Sequence, residues 1–173
     1  MSKNNKEHIE LLQKIFDNTN TWLHFAEGKN AALIAFNVTM AATITEMGLL
    51  KNYLLLTSAV LIGLILSTIT ALWSFKPLNG NIKTFPNNGI SENLLHYAYI
   101  SSLEPDEYLQ KLYEKYWDRP GQNRDDFQQL ELDYCKEITE NSKITVKKQI
   151  YFKRSFYIIL TALFLLIILL ICA

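Results

Sequence analysis

The chain has 173 residues, which allows one compact unit and argues against a multidomain enzyme. Lys plus Arg and Asp plus Glu each number 17, so the formal charge is zero and a basic nucleic-acid binder is not indicated. Hydrophobic residues make up 49%, yet they are blocked together, not dispersed at surface-helix spacing, and this points to a small integral membrane protein.

Residues 1–17 are polar, so no secretory leader is expected, and residues 1–29 read as an amphipathic cytosolic helix. Ile9, Leu12, Phe16, Trp22 or Leu23, and Ala26 recur at helical spacing. No proline or paired glycine interrupts the run into 30–46, a short stretch uncharged as far as Thr45 that also holds Asn37, Thr39 and Thr43. A brief turn, then Tyr53–Trp73, follows: YLLLTSAVLIGLILSTITALW has no charge and reaches about 31 Å at 1.5 Å per residue, enough to span a hydrocarbon core. Segments 30–46 and 53–73 are therefore expected to form a membrane hairpin.

Residues 74–155 are expected to form a cytosolic helical domain. Lys76–Gly89 reads as loop. Ser91 is expected to cap a helix carrying Leu94, Leu95, Ala98 and Tyr99. Pro105, with Asp106 and Glu107 behind it, starts another helix, which stops at Arg119-Pro120-Gly121. A last helix is expected from Asn123, Asp125 and Asp126 onward, passing without Gly or Pro into the final span, 156–173. The fold class is thus all-α: three spans, a cytosolic helical insert, and a long C-terminal helix continuing into the last span.

Orientation follows from the cations. Four precede the first span, Lys51 alone lies in the first loop, twelve lie between Ser74 and Ser155, and none follows. The N-terminus and 74–155 are expected in the cytoplasm and the C-terminus in the periplasm.

Ala59, Gly63, Ser67 and Ala71 form a small-residue ridge along the second span, suited to close helix approach within one chain or between subunits. Ala31, Ala35, Thr39 and Thr43 form a similar row. Asn30 and Asn37 share a face and suit interhelical hydrogen bonding or an aqueous path. Lys29, Asn141, Lys143 and Lys147 are candidates for a phosphate-bearing ligand, with lipid headgroups as the plainer partner. Six of nine tyrosines lie between Tyr97 and Tyr134, where they pack a core or stack on a base. Cys135 and Cys172 are placed too differently to pair, His8, His24 and His96 are scattered, and no metal or catalytic motif is present. No cofactor and no enzymatic activity is expected.

Two boxes carry a family resemblance. Trp22–Asn37, WLHFAEGKNAALIAFN, contains an Ala-acid-x-Lys element at Ala26–Lys29; Asn141–Lys153, NSKITVKKQIYFK, contains an Asn-Ser-x-Ile-x-x-x-Lys element. With the flanking spans they resemble the Pycsar transmembrane effector family over roughly residues 10–172. Glu27 stands where Asp is commoner, and Asn30 where Ala is. The resemblance implies bacterial antiviral defence by abortive infection. A partner pyrimidine cyclase would supply cyclic UMP or cyclic CMP, and a homo-oligomeric effector would impair the inner membrane. Without the resemblance, a constitutive holin-like disruptor or a membrane anchor for a soluble partner fits the same spans.

Overall fold

A computed structural model describes residues 3–77, 82–86, 89–122 and 124–172, with the side chains of residues 3–5 and 172 outside the description. Parts of the expected loop 76–89, the helix-start residue Asn123 and the Cys172 side chain therefore lie outside the described residues. The described residues form five α-helices: α1 Lys3–Glu46, α2 Leu54–Leu72, α3 Tyr97–Ile100, α4 Pro105–Tyr116 and α5 Gln129–Cys172. Short 3₁₀ turns cover Leu49–Lys51, Trp73–Phe75 and Arg124–Asp126, and the described residues include no strand. The chain is all-α, as expected. It divides into two compact units, 1–25 with 78–146 and 26–77 with 147–173.

In the first unit, α1 contributes Leu12 and Ile15, α3 Tyr99 and Ile100, α4 Tyr108, Leu109, Leu112 and Tyr113, and α5 Cys135 and Ile138 to one core. Tyr99, Tyr108 and Tyr113 are buried, so the tyrosine-rich stretch mainly packs this core. Helix α4 begins at Pro105, with Asp106 and Glu107 against its positive end. Helix α3 starts later than Ser91 would set it. Asn93 accepts the Leu95 amide through its side chain (2.9 Å), its carbonyl accepts the His96 amide (3.1 Å), and this turn delays the helix until His96 Nδ1 caps Ala98 N (3.2 Å). Helix α5 likewise starts at Gln129, because Arg124–Asp126 close into a 3₁₀ turn.

In the second unit, Leu33 and Ile44 of α1, Val60 and Leu64 of α2, and Ile159, Leu166 and Leu169 of α5 form the core. Gly48 has φ 68°, a left-handed value that costs a Cβ-bearing residue, and it closes the turn between α1 and α2. Burial in this unit runs opposite to a water-soluble core. Asn30, Asn37, Thr57, Ser67, Ser74 and Ser155 are buried, while Leu55, Ile62, Leu66, Phe164, Ile167 and Ile171 are exposed. Lipid makes that arrangement favourable, since it solvates leucine and leaves polar groups to find partners inside.

Among the described residues, two helices are long and apolar enough to cross a membrane: Leu54–Phe75, with mean hydropathy 2.2, and Gln129–Ile171, with 2.5 in its most apolar window. The 30–46 part of α1 does not join them, since its amides, threonines and Glu46 dilute its apolar content. It nevertheless supplies Leu33 and Ile44 to the same core.

Candidate functional site

In the first unit, a pocket of about 300 Å³ is lined by Ile82, Lys83, Glu104, Pro105, Lys136 and Lys143, with Glu140 alongside. Three elements build it. The Phe85 amide donates to the Ser101 carbonyl (3.0 Å), which fixes the extended stretch carrying Lys83. Glu104 and Pro105 are the start of α4. Lys136 and Lys143 are seven residues apart on α5, two helical turns along one face.

Lys143 is 4% exposed and Glu104, its partner at 3.5 Å, is largely exposed. A buried ammonium needs an anion, and here the anion comes from a side chain that solvent can draw away. Three ammonium groups against two carboxylates leave the pocket net positive. Its chemistry suits one phosphate. A neighbouring groove of about 750 Å³ is larger, but Glu104, Asp106, Asp125 and Asp133 line it, and they repel an anion.

The four ligand candidates read from the sequence are divided between the two units. Lys143 lines the pocket, and Asn141, in the same unit, donates instead to Asn20 Oδ1 (2.8 Å). Lys29 and Lys147 belong to the second unit. There Lys29 donates to Gln149 Oε1 (2.6 Å) and lies 4.6 Å from the centre of the Phe152 ring. Burial pulls its ammonium below the ordinary lysine value. Lys147 is half-buried, and Lys148 beside it makes the stronger set of contacts: Ser74 O at 2.8 Å, Glu27 at 3.1 Å and the Phe75 ring at 5.4 Å. The Ala-acid-x-Lys element thus meets the Lys147–Lys153 end of the second box through Glu27–Lys148 and Lys29–Gln149.

Asn30 Nδ2 donates to Ala26 O (2.9 Å) and more distantly to Lys148 O (3.4 Å). Asn37 Nδ2 donates to Ser67 Oγ (2.8 Å), which in turn lies 2.8 Å from Ser155 Oγ; the Ser155 hydroxyl donates to Ser67 O (2.7 Å). One polar node thus ties α1, α2 and α5. The carbonyl oxygens of both asparagine side chains are buried and have no hydrogen-bond partner among the described residues. On the small-residue ridge, Ser67 and Ala71 are buried, Gly63 is half-buried and Ala59 is exposed. A Cβ on Gly63 would meet Ala162 Cβ at 2.9 Å, so this part of the ridge packs against α5 of the same chain. The row Ala31, Ala35, Thr39 and Thr43 is exposed throughout.

A second buried cluster in the first unit has no counterpart in the sequence reading, where the histidines look scattered. His8 Nδ1 lies 3.0 Å from Glu131 Oε1, and the Tyr113 hydroxyl donates to Glu131 Oε2 (2.9 Å). The His8 ring stacks on Trp117 at 3.8 Å. Burial, and then the hydrogen bond to Glu131, pushes the Tyr113 phenol far above its ordinary range, which keeps it a donor. Histidine six positions into a helix, on the face that also carries Leu12 and Ile15, was the available signal.

An all-helical chain whose second unit turns leucine, isoleucine and phenylalanine outward has the architecture of a membrane protein. The chain matches the Pycsar effector protein domain family (PycTM) over residues 11–173 and belongs to that family. Membership makes it an effector of anti-phage defence, from a system that includes a partner cyclase, and with the two apolar helices it marks a membrane protein. Comparison with curated proteins and with solved structures gave no match.

Proposed function

We propose that this protein is a ligand-gated, non-enzymatic membrane effector. A cyclic pyrimidine nucleotide, cUMP or cCMP, made by the partner cyclase binds the first unit, and the second unit then impairs the bacterial inner membrane. The α1 segment 30–46 acts as a third crossing, with the N-terminus and 74–155 cytoplasmic and the C-terminus periplasmic. Effectors self-associate, since three helices from one chain enclose no useful aqueous path.

The observation that carries the reading is Lys143, a buried ammonium in a small pocket with Lys83 and Lys136, held by a carboxylate that is itself largely exposed. The ligand's single phosphate replaces Glu104 as its partner. Charge-assisted hydrogen bonds are the strong ones, and the pocket lies at the small end of ligand-site volumes, about 300 Å³ and upward. Ligand entry at Lys143 acts on α5, the helix that also supplies Ser155 and Ile159 to the second unit.

The test is membrane depolarisation in cells expressing the chain, with and without each cyclic nucleotide, alongside calorimetric binding to the purified protein. Ligand-dependent depolarisation that Lys143→Ala abolishes is the expected result. Depolarisation without any nucleotide favours the holin-like reading, and none under any condition favours an anchor.

A further inference from the structure

We propose that a groove between α2 and α5 in the second unit holds one anionic phospholipid. The groove encloses about 690 Å³ and is lined by Ile69 and Trp73 of the α2 side and by Tyr151, Arg154, Tyr157 and Ile158 of α5. Ile69 and Ile158 offer apolar walls for an acyl chain. Trp73 and Tyr157 are mostly exposed, as amphipathic rings are at a membrane–water boundary.

Arg154 gives the groove its charge. Its guanidinium is exposed and enters no ion pair or hydrogen bond among the described residues. No Asp or Glu among the described residues lines the groove. A planar donor fork matches phosphate bidentately, so a phosphodiester fits here with its chains along the isoleucines. A zwitterionic headgroup fits less well. Aromatic rings attract a choline cation, but Arg154 repels it and no carboxylate answers it. A soluble nucleotide also fits poorly, since the groove opens on a unit whose exterior is leucine, isoleucine and phenylalanine.

This inference rests on the membrane reading and on nothing about the nucleotide. The full chain is reconstituted into phosphatidylcholine vesicles, and flotation establishes insertion. A small fraction of the lipid is then replaced by dibrominated phosphatidylglycerol or by dibrominated phosphatidylcholine. Trp73 emission is obtained as the difference between wild type and Trp73→Phe. At equal mole fraction the glycerol lipid is expected to occupy the groove about fivefold more strongly than the choline lipid, the preference that one basic residue near a bilayer surface confers. Arg154→Gln should abolish the preference, whereas Lys153→Gln, an adjacent exposed cation outside the groove, should retain most of it. Equal quenching by both lipids in wild type overturns the proposal. So does a loss as complete in Lys153→Gln as in Arg154→Gln, which would be general headgroup attraction. Failure to float sinks the membrane reading itself, a result distinct from either.

Discussion

His8 and Glu131 are 123 positions apart in the chain and 3.0 Å apart in the fold. Glu131 is fully buried, and its carboxylate also accepts from Tyr113 and, at 3.2 Å, from the Gln128 amide. Glu131→Ala removes the common acceptor and leaves three donors unanswered. It should cost about 3 kcal/mol, the low end for removing one partner from a buried pair. Chemical denaturation of the detergent-solubilised protein, followed by Trp117 fluorescence, checks this; a change under about 1 kcal/mol would place the cluster in a wet, tolerant site.

Lys143→Ala and Lys147→Ala should separate cleanly. The first removes the buried cation of the pocket and should weaken cyclic nucleotide binding at least tenfold, the loss of one hydrogen bond to a charged group. The second touches a half-buried lysine of the other unit, outside the pocket lining, and should leave affinity within about twofold. Equal losses in calorimetry would return the site to the two boxes, where the sequence alone puts it.

Asn37→Leu should be close to neutral in stability. It deletes the donor to Ser67 but also the unpartnered carbonyl oxygen, and interhelical hydrogen bonds in membranes average only about 0.6 kcal/mol. The informative readout is depolarisation: if Asn37 lines the open path, the variant folds, binds nucleotide and conducts poorly. Unchanged depolarisation assigns Asn37 to packing alone.

Gly63→Ala places a methyl 2.9 Å from Ala162 Cβ and should lower the midpoint of thermal unfolding, by overpacking of about 1–3 kcal/mol. Adding Ala162→Gly should restore it. A variant that keeps its stability but loses oligomers on crosslinking would make the ridge an intersubunit seam.

Reporter fusions give the topology. A cytoplasm-active reporter should be silent at the C-terminus and active when inserted near Gly89, as the cation distribution requires.

The helices themselves were largely legible. Absence of Pro and paired Gly between Lys3 and Glu46 foretold one continuous α1, and Pro105 marked the start of α4 to the residue. The Tyr53–Trp73 run gave α2 because its apolar content has no other use. What spacing cannot give is the neighbour. Lys143, Lys147 and Lys148 look equivalent in sequence, yet one faces Glu104, one is half-buried, and one holds Ser74 and Glu27. Periodicity fixes a residue's face on its own helix and says nothing of the helix opposite. The Asn93 turn was lost for a related reason: Ser91 and Asn93 both cap well, and the contest between them is decided by hydrogen bonds two residues away.

Two of the boundaries between the compact units fall inside helices, at Phe25/Ala26 in α1 and Val146/Lys147 in α5. A fragment cut at either point would begin or end with a turn of unsatisfied backbone groups, so neither unit is a module that gene shuffling can lift out whole. Chimeras between relatives must instead be joined in phase. One residue inserted between Asn30 and Asn37 turns everything beyond it by about 100° around the α1 axis, which would swing Asn37 away from Ser67. A single-residue insertion there should therefore cost function even though every side chain is retained.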